Sequence, residues 1–269
     1  MCEVIRVSKS GFYHWMKRQR EPVKGRERYL YVRIMEVFEQ SKRTYGSRRI
    51  YRTLRNWGVV CYKNQVAKVM RIYGLRPKTK RKYKLTTDSK HSKNIAPNLI
   101  QRNFKVNDMN KVLVGDITYI WTKEGWLYLS TVIDLYSRRV VGWSLSNRIT
   151  KELVIESLRD ALNKRRPSAG LIFHSDRGSQ YASDEFVEFL KSNDVLPSMS
   201  RKGDCWDNAV AESFFKTIKS EMIYWYNFRT RAEAELRIFE YIEMFYNRNR
   251  LHSSNDYMSP VDFERKKVS

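Results

Sequence analysis

Three carboxylates are the side chains of this 269-residue chain best suited to do chemistry. Asp116 lies inside an apolar, strand-like run, VLVGDITYI (112–120), and Asp176 directly follows another, LIFHS. Glu212 falls in a helix-patterned stretch, NAVAESFFKTIKSEM. Read at 3.6 residues per turn, Val210, Phe214 and Ile218 form an apolar row there, while Glu212, Lys216 and Lys219 form a polar one. Carboxylate oxygens are the hard ligands that Mg²⁺ and Mn²⁺ take. Two such ions about 3.5–4 Å apart support phosphoryl transfer, activating the attacking oxygen and neutralising the leaving one. In that chemistry Asp116 bridges both ions, and Asp176 and Glu212 each complete one side. Singly each is an ordinary surface residue type; their contexts together carry the reading.

Such acids must be positioned by elements distant in sequence. Three strand-like runs at 112–120, 126–134 and 140–144 follow one another so closely that they read as an antiparallel meander. A helical stretch (151–163), a short strand (171–173) ending in His174-Ser175-Asp176, a helix (183–192) and a strand (195–199) come next. This order predicts an α/β unit, a mixed sheet covered by helices on both faces. Asp207 or Asn208 is expected to cap the helix that carries Glu212.

Charge is divided unevenly along the chain. Residues 1–105 hold 28 Lys and Arg against 6 Asp and Glu, a net of +22; the rest holds 24 against 23, a net of +1. A basic front half of this strength points to a polyanionic partner, and no long amphipathic face with apolar anchors suggests a membrane surface. Ser8 is placed to cap an opening helix with Val7, Phe12, Trp15 and Met16 at helical spacing, which resembles the second half of a helix-turn-helix (1–20). A second unit (26–76) shows three helical segments, marked by Tyr29, Val32, Met35 and Val37–Phe38, by Ile50 and Leu54, and by Val66, Val69 and Met70. Tyr45-Gly46-Ser47 supplies a turn and a cap before the second. On such a trihelical, winged-helix-like pattern the last helix enters the major groove. Lys63, Asn64, Gln65 and Lys68 then contact bases or backbone, and Arg48, Arg49 and Arg52 meet phosphates. Residues 77–105 read as a basic linker that follows a phosphate backbone without sequence preference.

No apolar run approaches membrane-spanning length and the opening has no apolar signal core, so a cytoplasmic protein is expected, nucleoid-associated when bound to DNA. Cys2, Cys61 and Cys205 are widely spaced, with neither a CxxC pair nor an even count, and read as ordinary reduced side chains.

At the three acids the chain resembles the second-frame (OrfB-type) insertion-sequence transposases of the IS three family, within the DDE transposase and retroviral integrase superfamily. The spacing carries this, with 59 residues between Asp116 and Asp176 and 35 between Asp176 and Glu212. So do the phrases GDITY (115–119), HSDRGSQY (174–181), DCWDNAVAESFF (204–215), YNRNRLH (246–252) and Ser259-Pro260. The resemblance runs from about residue 5 to 265. It implies a ribonuclease H-like catalytic domain (106–265) preceded by a small all-α helix-turn-helix region. It further implies Mg²⁺- or Mn²⁺-dependent cleavage and strand transfer at the ends of an element, with water and then a DNA 3′-hydroxyl as nucleophile and no covalent protein intermediate. Lys219, seven residues after Glu212, is implied to hold a terminal phosphate. Double-stranded DNA, both element ends and target, is the implied partner, bound by a homo-oligomer. A first-frame OrfA-type product is expected as partner or fusion, which fits an opening that lacks its first helix.

Neighbouring residues have competing readings. His174 points the same way as Asp176 along a strand, either shaping the site or serving as a hydrogen-bonded structural histidine. Asp134 falls outside the triad and reads as structural support. Arg177 and Gln180 are possible DNA contacts, and Trp206 reads as a packing residue. A nuclease that cuts without rejoining, and a DNA-binding regulator without catalysis, are the rival functions; the extended basic half argues against the first and the complete triad against the second.

Overall fold

The computed structural model describes residues 7–20, 25–78, 95–201 and 205–268, and the chain divides into two compact units after Pro77. Cys2, residues 79–94 of the expected linker, and the side chains of Trp15, Cys205 and Trp206 lie outside the described residues.

The first unit contains α1 (Lys9–Arg20), α2 (Arg26–Gln40), α3 (Ser47–Asn56) and α4 (Lys63–Ile72). The Ser8 hydroxyl accepts from the Gly11 amide at 2.9 Å, so the opening helix is capped as its sequence suggests. Val7 is exposed, whereas Phe12 and Met16 are half-buried. In α2 the buried stripe is Leu30, Ile34, Val37 and Phe38. Tyr29 and Val32, taken from sequence as core markers, face solvent instead. Ile50 and Leu54 of α3 and Val66, Val69 and Met70 of α4 close this core as expected, and Tyr31 stacks on Tyr73 at 3.8 Å between ring centroids. Within Tyr45-Gly46-Ser47 the cap position of α3 falls on Gly46, and Ser47 is the first helical residue. Among the described residues this unit contains no strand, and α2, α3 and α4 give the expected three-helix pattern after α1.

The second unit is built on a five-stranded sheet of order β3-β2-β1-β4-β5. Its strands are β1 (Val112–Thr122), β2 (Gly125–Asp134), β3 (Val140–Ser146), β4 (Leu171–Ser175) and β5 (Val195–Met199). β1, β2 and β3 form the antiparallel meander, and β4 and β5 add parallel to β1, giving the ribonuclease H-like mixed sheet. Helices α5 (Lys151–Arg165) and α6 (Asp184–Ser192) enclose one core with the sheet, from Leu113, Val132 and Val141 to Leu158, Phe173 and Phe186. Gly142 of β3 is what lets α5 lie so close. A methyl added there would meet the Ser157 carbonyl oxygen at 2.2 Å and the Ala161 amide nitrogen at 2.6 Å. Gly142→Ala is therefore expected to lower stability by about 1–3 kcal/mol through overpacking, read as a lower denaturation midpoint at unchanged slope.

Helix α7 (Ala209–Glu221) packs on β1, buries Phe214, Phe215 and Ile218, and is followed by α8 (Arg231–Phe239), a π-helical segment Glu240–Tyr246, and α9 (Pro260–Val268). The α9 residue Glu264 is tied to the β2–β3 turn by Ser137 and Arg139 and to α5 by Arg165, at 2.7 Å each. Asp134 accepts from the amides of Asn110, Tyr136 and Ser137 in the same corner, which gives it the structural place expected.

The last part of the expected linker is corrected. Asn98 and Arg102 bond Asp207, the Leu99 amide donates to Ser198, and Ile100 is buried, so residues 97–102 belong to the second unit rather than to an extended tether. Among the described residues no helix is long and apolar enough to cross a membrane.

Candidate active site

Parallel pairing between β1 and β4 brings the two aspartates together. Leu113 pairs with Phe173 and Val114 with His174. Carried two residues further, the same register sets position 176 beside 116, on strands spaced about 4.8 Å apart. β4 ends at Ser175, so Asp176 sits at the point where the chain leaves the sheet. There its Oδ1 accepts from the Gly178 amide at 2.9 Å, while Asp116 Oδ1 accepts from Ile117 at 2.8 Å. Gly115 makes this crossing possible, because a Cβ there would lie 2.3 Å from the Phe173 ring.

Glu212 reaches the aspartates from the first turn of α7. Asn208 does not cap that helix with its side chain; its Nδ2 donates to the Gly115 carbonyl at 3.3 Å, tying the helix start to the residue before Asp116. Asp207 does not cap it either. Its carboxylate takes Arg201 at 3.1 Å, Arg102 at 3.0 Å, Asn98 at 2.9 Å and the Arg201 amide at 2.9 Å. Both residues have the types that favour caps, but tertiary partners have claimed them.

Electrostatics marks the three acids as one group. Burial pushes the Asp116 carboxyl well above the usual range, and the charges of Asp176 and Glu212 push it further. Glu212 is raised by burial and by Asp176. Lys219 of α7 is the cation facing them. Its Nζ stands 4.7 Å from the centre of the Tyr119 ring, burial lowers its pKa, and the Asp116 charge opposes that shift. Three hard oxygen donors, with Asp116 and Glu212 both raised by the charge of Asp176, fit a site for divalent cations. Among the described residues, no three His, Cys, Asp or Glu side chains are already drawn close enough to enclose an ion.

His174 is structural. It is fully buried, with Nδ1 2.8 Å from Ser198 Oγ and Nε2 3.3 Å from Ser200 Oγ, and desolvation lowers its pKa to about 4, so it is neutral. The Arg177 Nε donates to the Ser200 carbonyl at 2.7 Å, and Gln180 is half-buried.

In the first unit, Lys63, Asn64, Gln65 and Lys68 lie exposed on α4, and Arg48 and Arg52 exposed on α3. Arg49 is half-buried with its guanidinium 5.5 Å from the centre of the Tyr45 ring. Gln65 accepts from the Tyr62 amide at 3.1 Å, and Lys68 pairs with Glu27 at 2.9 Å. The exposed Lys68 pair contributes about 0–1 kcal/mol and is readily exchanged for a phosphate.

Sequence reasoning missed the Asp207 cluster, although the residue stood in a quoted phrase. Guanidinium groups hold its carboxyl well below the ordinary range. A lowered carboxyl pKa means that this cluster's stabilisation is present above the unfolded value of about 3.9 and is lost as pH falls below it towards the folded value. Asp207→Asn should therefore lower the melting temperature at pH 7, and the gap to the unsubstituted protein should narrow as pH is lowered below about 4, measured by thermal melts across pH.

Two families described as Integrase core domain match residues 106–205 and 212–268, and the HTH-like domain family matches 25–83. Over 272 residues the chain is 40% identical to the transposase InsF for insertion sequence IS3A of Escherichia coli (strain K12), covering 100% of this chain and 94% of that protein. It is 46% identical over 234 residues to the transposase for insertion sequence element IS904 of Lactococcus lactis subsp. lactis (strain IL1403), covering 87% and 92%. To the insertion element IS600 uncharacterized 31 kDa protein of Shigella sonnei it is 41% identical over 99% of this chain and 98% of that one. Among solved structures it is similar to a chain of the simian T-cell lymphotropic virus intasome in complex with PP2A regulatory subunit B56 gamma, at a TM-score of 0.49 and 15% identity, covering 86% and 74%.

Proposed function

This chain belongs to the IS3-type insertion-sequence transposases with an integrase core, and we propose that it cuts and joins DNA at the ends of its element through Asp116, Asp176 and Glu212. Its reaction class is polynucleotidyl transfer in DNA transposition and integration. The observation that supports the residue assignment is the rise of the Asp116 carboxyl under the charges of Asp176 and Glu212, with the β1–β4 register setting 176 beside 116 and α7 carrying Glu212. Two Mg²⁺ or Mn²⁺ ions held by these carboxylates supply activation of the attacking oxygen and neutralisation of the leaving one.

The chain's own residues do the rest. The Asn208 bond to Gly115 fixes the start of α7, and so the position of Glu212, relative to Asp116. Lys219 places a positive charge where a phosphate entering the group of acids requires one. Water, and then the 3′-hydroxyl it exposes, attack phosphorus directly, so no side chain forms a covalent bond to DNA. Residues 26–76 bind the element ends through α3 and α4, with Arg48, Arg49, Arg52 and Lys68 on phosphates and Lys63, Asn64 and Gln65 nearest the bases. The protein acts as an oligomer on DNA in the bacterial cytoplasm, with a first-frame product as partner or fusion.

The test is a joining assay. Labelled element-end DNA and a supercoiled target are incubated with the full chain and Mg²⁺, and covalently joined product is expected. Nicked ends without joined product would make the protein a nuclease and end this reading.

A further inference from the structure

On the hairpin of β1 and β2, aromatic side chains line the sheet face opposite to the one Asp116 points to, running outward from Lys219. Tyr119 and Trp126 meet edge to face at 5.2 Å between ring centroids, and Trp126 meets Trp121 in the same way at 4.9 Å. The row begins under the Lys219 ammonium, 4.7 Å from the centre of the Tyr119 ring. It ends in the open: Trp121 is 57% and Trp126 43% exposed, both at the rim of the sheet. Two tryptophans this exposed and this close are unusual, because such large rings are ordinarily well buried. Nothing in the chemistry assigned above uses them.

We infer that this row is a stacking track for an unpaired single strand of DNA, the strand at the element end that carries the phosphate under attack. This rests on the proposed transposase reading. The dimensions fit. Measured along the strand axis at about 3.3 Å per residue, Tyr119 lies about 10 Å and Trp121 about 17 Å beyond Asp116, and a strand of DNA reaches their face by passing Lys219. At about 3.4 Å per stacked nucleotide, those distances correspond to the third to fifth nucleotides from the reacting phosphate. The charge fits as well. Lys219 stands at the inner end, and Lys123 is exposed in the turn that closes the hairpin, with Glu124 as the opposing charge there. Arg231 is held against that turn, donating to the carbonyls of Trp126 at 3.2 Å and Glu124 at 2.7 Å, and it braces the outer end of the row. Aromatic faces combined with a cation are the means by which proteins hold single strands without reading sequence, since every base has a π-face. A duplex offers no free base faces, so the track engages an end only once its last few pairs have opened.

The test uses the full chain and two versions of the element-end oligonucleotide, one fully paired and one with its last five nucleotides unpaired. The unsubstituted protein is expected to bind the unpaired end at least about fivefold more tightly. The double variant Trp121→Ala, Trp126→Ala should lose that preference while binding the paired end as before, and Trp121→Phe, Trp126→Phe should keep most of it. Bromodeoxyuridine at the third to fifth unpaired positions should crosslink to the hairpin of the unsubstituted protein, and at the tenth nucleotide, inside the duplex, it should not; this arm stands even if the alanine variant fails to fold. Equal binding of the two ends, an undiminished preference in the alanine variant, or crosslinks confined to other segments would overturn the inference. So would a change in sedimentation mass of the alanine variant with no change in DNA binding, which would make the row a contact between copies. Joining measured on the same samples separates the two claims. If the unsubstituted protein joins ends but shows no preference for opened ones, the track is wrong and the transposase reading stands.

Discussion

Asp116→Asn, Asp176→Asn and Glu212→Gln are each expected to lower Mg²⁺-dependent cleavage and joining of element-end DNA by at least about a thousandfold. Metal ions contribute several kcal/mol of charge stabilisation in such a transition state, and about 4 kcal/mol corresponds to that factor. Loss of any one ligand is enough, because the three acids act as one group around Asp116. Binding to the same DNA should change little, since the contacts assigned to it lie on α3 and α4 of the other unit. Stability supplies an internal control. The Asp116 carboxyl is raised above its unfolded value, so the favourable state is the protonated one. That contribution is present below about pH 3.9 and is lost as pH rises through the folded value. In metal-free protein at neutral pH, Asp116→Asn should accordingly melt at a higher temperature than the unsubstituted chain, so an inactive variant is not an unfolded one. Retained joining by any of the three variants would remove that residue from the site.

The second large effect concerns stability and arises at the opposite end of α7 from Glu212. Arg250 donates to both oxygens of Glu221, at 2.9 and 2.7 Å, and the Tyr241 hydroxyl donates to the same carboxylate at 2.7 Å. Both charged side chains are about 6% exposed. Arg250→Ala would leave Glu221, at the C-terminal end of α7, buried without its counter-charge, which typically costs about 3–5 kcal/mol. For a unit of this size that lowers the melting temperature by roughly 6–20 °C. Arg250→Met together with Glu221→Leu should recover a good part of the loss, because removing both charges is far cheaper than removing one. A single variant that melts within about 2 °C of the unsubstituted chain would show that the pair does not hold α7.

Much of this architecture was legible before any coordinates. Alternation and short turns gave the meander of β1 to β3, and the family phrases drew attention to acids that composition alone leaves ordinary. What escaped has identifiable causes. In α2, apolar and aromatic residues occur on several sides, so the helical phase was ambiguous and Tyr29 and Val32 were taken in place of Leu30 and Ile34. Residue type favours caps at Asp207 and Asn208, but those side chains are engaged by Arg201, Arg102 and the Gly115 carbonyl. Residues 97–102 looked like a tether because their bonds go to Ser198 and Asp207, about a hundred positions away. The register that sets Asp176 beside Asp116, and the contact between Lys219 and Tyr119, are likewise products of pairing between distant segments.

The central claim is that Asp116, Asp176 and Glu212 form one site for hard divalent cations. Calorimetric titration of Mn²⁺ into metal-free full-length protein bound to element-end DNA tests it most directly. About two ions per chain should bind, and Asp116→Asn, Asp176→Asn and Glu212→Gln should each weaken or abolish that binding. Saturable Mn²⁺ binding that is unchanged in Asp116→Asn would contradict it.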